Sequence, residues 1–177
     1  MYELASEFKN ELIHIISQKR HANKEDVDYI VKVLVCYLKS EDLWPKGKIY
    51  LVDLYLEANK TNNKFIRIQK FRTLGDYSLV MSGFFPESIS NPSYYIDMGS
   101  AAYYEVSMLK NQSELYRRLA FEYLHYVNAL NHVSMASRLS GVEQIGLIYQ
   151  KYIETHSPML KNKLHALGLL DLNEIMS

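Results

Sequence analysis

Apolar residues recur every three or four positions along most of the chain, and only seven glycines and four prolines interrupt 177 residues. This spacing places the apolar side chains on one face of a helix. We therefore predict an all-α fold, a single compact bundle of about seven to eight helices, with residues 1–177 as one domain. The predicted helices cover residues 2–19, 24–39, 49–59, 64–84 and 93–109, a sixth segment from a cap at Asn111 or Ser113 to residue 138, and residues 142–155 and 159–167.

Local signals set several of these ends. Asn23 is a candidate N-cap for the second helix. Gly83 and Pro86 end the fourth, because glycine favours the end of a helix and proline cannot continue one. Residues 48–56 have some strand character, so a strand is the alternative for the third element.

Charge and motifs exclude several classes of function. Twenty basic residues balance twenty acidic ones, so no global field attracts nucleic acid or an anionic membrane. No apolar stretch reaches the roughly 20 residues of a membrane span, and Glu3, Glu7 and Glu11 interrupt any secretory signal. P-loop, dinucleotide-binding and G-x-S-x-G motifs are absent from the sequence. We expect a cytoplasmic protein without nucleic-acid or membrane partners, and we predict no cofactor, no metal and no catalytic residue.

The single cysteine, Cys36, excludes an intramolecular disulfide. It lies in the apolar run 30–38, where a thiol packs as a small apolar group. We predict a buried structural thiol and not a nucleophile.

The segment 71–105 carries the residues best suited to a function. Arg72 and Asp76 are one helical turn apart and lie close to the apolar face, so their side chains can meet. They form either a half-buried pair that lines a pocket or a structural ion pair, since an uncompensated buried charge is costly. The neighbouring Phe84, Phe85 and Glu87 either close the core at a helix end or offer an aromatic corner to a ligand or partner.

Tyrosine is abundant, with fifteen residues against one tryptophan. Two doublets, Tyr94-Tyr95 and Tyr103-Tyr104, flank the small residues around Gly99. Glycine inside a helix costs about 1 kcal/mol relative to alanine, so close approach of another helix is the natural compensation. The helix that approaches Gly99 belongs either to the same chain or to the second copy of a homodimer, and a bound apolar ligand is a third hypothesis.

Two Glu-x-x-His motifs, Glu11 to His14 and Glu122 to His125, have the spacing used in di-iron carboxylate bundles. The angular positions of these residues around their helices argue against a metal site. Each glutamate falls about 60° and each histidine about 120° from the centre of the apolar face of its helix, whereas metal ligands must point inward.

The strings RTLGDYSLVMSGFFPE (residues 72–87) and YYIDMGSAAY (residues 94–103) resemble those of a group of uncharacterised bacterial helical proteins. The resemblance covers the middle of the chain and implies a bacterial cytosolic helical protein. It implies no activity, cofactor or catalytic residue.

Two functions fit the sequence. The first is a non-enzymatic interaction or regulatory module that associates with itself or with a protein partner through tyrosine-rich, small-residue helices. The second is a small-molecule-binding protein or enzyme with a pocket between the fourth, fifth and sixth helices. Its lining would come from six residues: Arg72, Asp76, Tyr94, Tyr95, Tyr103 and Tyr104.

Overall fold

The computed structural model describes residues 2–17, 23–39, 50–111, 113–138, 152 and 155–166. Within these ranges it contains eight α-helices, one short 3-10 helix (Pro86–Ser88) and no strand. The helices are α1 (Tyr2–Ser17), α2 (Lys24–Lys39), α3 (Leu51–Lys60), α4 (Lys64–Phe84), α5 (Pro92–Leu109), α6 (Glu114–Phe121), α7 (Tyr123–Arg138) and α8 (Pro158–Ala166). The predicted all-α bundle of seven to eight helices is confirmed.

Most predicted boundaries agree with the structure. The bounds of α2 and α4 are those predicted, and α5 starts one residue earlier, with Pro92 in its first turn. Residues 51–60 form a helix, so the strand alternative for the third element is wrong. The predicted helix 142–155 lies almost entirely outside the described residues.

The predicted sixth helix is two helices. Glu122 separates α6 from α7, with φ −98° and ψ 14°. Its N–H still donates to the carbonyl of Arg118 at 2.9 Å, and its own carbonyl accepts from Tyr126 N at 3.1 Å. No glycine or proline marks this interruption, so the sequence pattern gave no sign of it.

Helix α4 is the centre of the described bundle. Every residue from 74 to 84 is buried, and α4 packs against α2, α3, α5 and α7. A helix that is covered on all sides has no single apolar face, and small polar residues fit its close contacts. Ser82 donates to the carbonyl of Ser78 at 2.7 Å, and Ser134 on α7 donates to the carbonyl of Phe84 at 2.6 Å.

Asparagine side chains begin α4 and α5. Asn63 Oδ1 accepts from Phe65 N at 2.9 Å and Ile66 N at 3.2 Å, and Asn91 Oδ1 accepts from Tyr94 N at 3.2 Å. Each cap satisfies backbone donors that have no partner inside the helix.

Helix α4 ends at Phe84, as predicted. Phe85 is its C-cap and donates from its backbone N–H to the carbonyl of Val80 at 3.2 Å. The Phe84 ring is buried, and the half-buried Phe85 ring meets it edge-on at 5.1 Å between centroids. Glu87 is exposed. The phenylalanines therefore close the core at this corner.

Glycines bring α4, α5 and α7 together. A Cβ atom on Gly75 of α4 would lie 2.5 Å from the Tyr103 ring of α5, and one on Gly99 of α5 would overlap the Tyr123 hydroxyl of α7. Real Cβ atoms do not approach so closely. The expected close approach at Gly99 is thus intramolecular, and Gly99 is buried inside the bundle and not on an open face.

A second contact ties α2 to α6 and α7. Asp26, only 1% exposed, accepts hydrogen bonds from Arg118 Nε at 3.0 Å and Nη2 at 2.8 Å, and from the Tyr126 hydroxyl at 2.7 Å. Arg118 Nη2 also donates to Glu25 at 2.6 Å. Full pairing is what makes a buried carboxylate tolerable. None of the described helices combines the length and the apolar character needed to cross a bilayer.

Candidate functional site: a groove over a buried carboxylate

Asp76 lies in the buried half of α4 and is only 8% exposed. The hydroxyls of Tyr29 on α2 and Tyr103 on α5 both donate to its Oδ1 atom, at 2.6 Å and 2.7 Å. Hydrogen bonds to a charged acceptor are roughly twice as strong as neutral ones. The two tyrosines thus offset part of the cost of burying this carboxylate and fix its orientation.

The second oxygen of Asp76 is placed differently. Arg72 Nε lies 3.8 Å from Oδ2, a distance that allows an ion pair but not a hydrogen bond. The Arg72 side chain is 53% exposed and extends toward solvent. Within the described part of the chain, Oδ2 accepts no hydrogen bond, and Asp76 is one of the residues that line the groove described below. The predicted proximity of Arg72 and Asp76 is therefore confirmed, with a buried anion beside an exposed cation.

Burial raises the pKa of Asp76 to about 6, although the hydrogen bonds from Tyr29 and Tyr103 and the charge of Arg72 act in the opposite direction. Desolvation disfavours the charged form of a carboxyl group, and here it exceeds the stabilising contacts. Burial, with the nearby Asp76 charge, raises the pKa values of Tyr29 and Tyr103 well above their ordinary range. These two hydroxyls remain protonated donors.

Four tyrosine rings surround the carboxylate. Tyr103 lies 6.2 Å from Tyr29, 5.8 Å from Tyr116 and 5.7 Å from Tyr123, measured between ring centroids. Tyr123 also donates to the carbonyl of Gly75 at 3.1 Å. These rings come from α2, α5, α6 and α7, so the carboxylate sits where four helices meet α4.

Above Asp76 is a groove of about 460 Å³ between α2, α3 and α4. That volume lies within the range of about 300–1,000 Å³ usual for small-molecule sites. Its walls combine aromatic, aliphatic and charged groups: Tyr29, Lys32, Val33, Cys36 and Tyr37 of α2, Leu54 of α3, and Arg72, Thr73, Asp76 and Tyr77 of α4. The Tyr37 hydroxyl reaches across to the carbonyl of Thr73 at 3.4 Å.

The groove corrects the predicted location of the pocket. We expected Arg72 and Asp76 to face α5 and the following helix, whereas their groove opens toward α2 and α3. Of the predicted tyrosines, only Tyr103 touches Asp76, and it does so from the buried side. The sequence of α2 contained a sign of this groove that the sequence analysis missed. Residues 29, 32, 33, 36 and 37 share one face of the helix and include a lysine, a thiol and two tyrosines.

Cys36 is exposed and lies on the wall of this groove, so the prediction of a buried thiol is wrong. Cys36 is two residues beyond the buried Leu34, which places it about 200° around the helix. An apolar run shows that a helix packs against a core, but not which of its faces is left open.

The remaining predicted tyrosines lie elsewhere on α5. Tyr94 and Tyr95 meet edge-on at 6.2 Å, and Tyr95 also approaches Tyr77 at 6.3 Å. Tyr104 is exposed and lines a shallow depression with Ala101 and Phe121. The structure does not bring these residues to Asp76.

The first Glu-x-x-His motif has a structural role. Glu11 is 1% exposed, so its predicted position on the flank of α1 is wrong. Its carboxylate accepts from the Ser157 hydroxyl and, at 3.2 Å, from Met159 N, and His14 Nε2 lies 3.1 Å from the carbonyl of Thr155. Glu11 therefore caps the start of α8, where backbone donors favour an anion. Among the described residues, no three His, Cys, Asp or Glu side chains gather as metal ligands would.

Comparison with protein-family models, curated proteins and solved structures finds no match for this chain. A functional assignment therefore has to come from the geometry of the site.

Proposed function

We propose that the protein binds a small organic molecule in the groove between α2, α3 and α4. The observation that carries this proposal is the state of Asp76, a largely buried carboxylate on the wall of the groove, with one oxygen bonded by two tyrosines and the other without a hydrogen bond among the described residues. Among the described residues, Oδ2 is not one of the fully enclosed polar atoms that lack a partner, so solvent reaches it. A ligand that lies in the groove can replace that water with a charge-assisted hydrogen bond.

The surroundings of Asp76 support the same function. Val33, Leu54 and the rings of Tyr37 and Tyr77 provide apolar area, and Arg72 and Lys32 add positive charge. Binding pockets combine mostly apolar walls with a few convergent polar groups in this way. A carboxyl group with a raised pKa in a cleft is also a common mark of a functional site.

A metabolite screen by thermal shift, followed by calorimetry, tests this proposal. Thr73 is exposed and lines the groove, so Thr73→Trp fills it, whereas Gln69→Trp adds the same ring to an exposed position of α4 outside the groove. We expect ligands to stabilise the wild type and Gln69→Trp but not Thr73→Trp. They should also slow the reaction of Cys36 with a thiol reagent. Absence of any hit, or equal binding by Thr73→Trp, contradicts the proposal.

Self-association is a second candidate, favoured by an exposed apolar surface on α5, α6 and α7. Phe121 is 72% exposed, and Tyr104, Met108 and Leu124 are also exposed. A second copy of the chain is the natural occupant, because a net charge of zero imposes no overall repulsion between copies.

Sedimentation analysis distinguishes this candidate from ligand binding. We expect a dimer that Phe121→Ser weakens and that Met135→Ser, at an exposed apolar position elsewhere on α7, leaves intact. A wild-type protein that stays monomeric, or a dimer insensitive to Phe121→Ser, rejects the candidate and leaves the groove proposal untouched.

A further inference from the structure

We propose that the ligand of the groove is a zwitterionic α-amino acid with a large apolar side chain. The inference rests on the proposed binding function of the groove and names the ligand class. Its starting point is the pair of opposite charges, Arg72 and Asp76, that α4 presents on the wall of the groove.

Arg72 and Asp76 do not satisfy each other. Arg72 Nε and Asp76 Oδ2 are 3.8 Å apart, beyond hydrogen-bond distance. The Asp76 carboxylate has one open oxygen, and the Arg72 guanidinium is half exposed, with donors left for another group. An α-amino acid carries an ammonium and a carboxylate on the same carbon, so it can place opposite charges against these two groups together.

The rest of the groove fits the side chain of such a ligand. Tyr37 and Tyr77 lie 6.3 Å apart between ring centroids, with their rings inclined at 49°. Val33 and Leu54 complete an apolar wall beside them. An aromatic or branched aliphatic side chain would bury its apolar surface there, which favours binding.

Charge argues against ligands with only one of the two groups. A simple carboxylic acid satisfies Arg72 and Lys32 but brings a second anion beside Asp76 and leaves its Oδ2 without a donor. A simple amine reaches Asp76 but adds positive charge beside Arg72. The zwitterion alone pairs both charges, and Asp76 is already desolvated and oriented by Tyr29 and Tyr103 before binding.

Calorimetry with four matched probes tests the ligand class. The probes are L-phenylalanine, 3-phenylpropionate without the ammonium, 2-phenylethylamine without the carboxylate, and glycine without the side chain. We expect L-phenylalanine to bind at least about tenfold more tightly than each of the others. The acid and the amine each lose a charge-assisted hydrogen bond, and glycine loses the apolar contact.

Two variants separate ligand recognition from a structural role. Asp76→Asn should lower the affinity for L-phenylalanine about tenfold or more without weakening 3-phenylpropionate, because the repelling anion is removed. Arg72→Gln should weaken both carboxylates, and Gln69→Trp should weaken neither. A merely destabilised protein would not change its preference between probes in this way.

The outcomes are distinguishable. If 3-phenylpropionate or a library compound binds in the groove as tightly as L-phenylalanine, the amino-acid class is wrong while the binding function stands. If neither the four probes nor the library binds in a manner blocked by Thr73→Trp, both proposals fail.

Discussion

Tyr103 donates a hydrogen bond of 2.7 Å to Asp76 across the interface of α5 and α4. The ring is fully buried and sits over Gly75, where a Cβ atom would be 2.5 Å away. Tyr103 thus links a close contact between α4 and α5 to the carboxylate of the candidate site. The proposed binding site therefore depends on a residue that also packs in the core of the bundle.

Removing the Tyr103 hydroxyl should destabilise the folded protein. Tyr103→Phe keeps the ring but leaves Asp76 with one tyrosine donor among its described contacts, so we expect a loss of about 1.5–3 kcal/mol in unfolding free energy at pH 7.5. Urea denaturation measures this loss. Tyr104→Phe, on the exposed side of the same helix, serves as the control, and equal stabilities of the two variants would refute the role of the hydrogen bond.

The raised pKa of Asp76 predicts a specific pH dependence. The folded protein holds this proton up to about pH 6, whereas the unfolded chain releases it near the ordinary value of 3.8. Between those values the folded state binds more protons, so this group makes stability fall as pH rises. The full difference of about two pKa units corresponds to about 3 kcal/mol.

Asp76→Asn removes this titration while keeping an oxygen acceptor for Tyr29 and Tyr103. Relative to the variant, the wild type should lose about 3 kcal/mol between pH 3.5 and pH 7.5, with the change centred between the two pKa values. Urea titrations at closely spaced pH values measure the difference. Parallel stability curves for the two proteins would show that Asp76 is not desolvated in this way.

Gly99→Ala tests the close approach of α5 to α7. Alanine favours a helix by about 1 kcal/mol over glycine, yet its methyl group would overlap the Tyr123 hydroxyl and lie 2.9 Å from Ser78 Cβ. We expect net destabilisation of about 1–3 kcal/mol. Thermal or urea unfolding shows whether the stability falls or rises, and a gain in stability would exclude the close contact.

Two further variants sharpen this test. Ala101→Ser, at an exposed position of α5, should change stability little. Gly99→Ala combined with Tyr123→Phe should be more stable than the sum of the single effects, because the hydroxyl, the nearest of the overlapped atoms, is removed while the ring Cζ remains.

Substitutions of two adjacent arginines on α6 should differ sharply in their effect on stability. Arg118→Gln leaves the buried Asp26 with Tyr126 as its remaining strong donor among the described contacts, so we expect a loss of about 3–5 kcal/mol. Arg117→Gln removes a surface pair with Glu114 and should leave stability nearly unchanged. Denaturation of both variants under the same conditions is the measurement, and similar midpoints would contradict the assigned contacts.

The helical part of the fold could be predicted because its signals are local. The apolar period, Asn23 as a cap, and the break at Gly83 and Pro86 all act within a few residues, and they located α2 and α4 correctly. The interruption at Glu122 could not be predicted in this way. Around it, Arg118 binds Asp26 on α2 and Tyr123 binds Gly75 on α4, which are distant in sequence.

The same distinction applies to the site. The sequence by itself determined that Arg72 and Asp76 meet, because four residues make one helical turn. Only the tertiary structure decided that Tyr29, 47 positions away, and Tyr103 saturate one oxygen of Asp76, that Cys36 faces a groove, and that Glu11 caps α8. Periodicity defines an apolar face, but the packing of neighbouring helices decides how much of each face is covered and which polar groups are buried beside it.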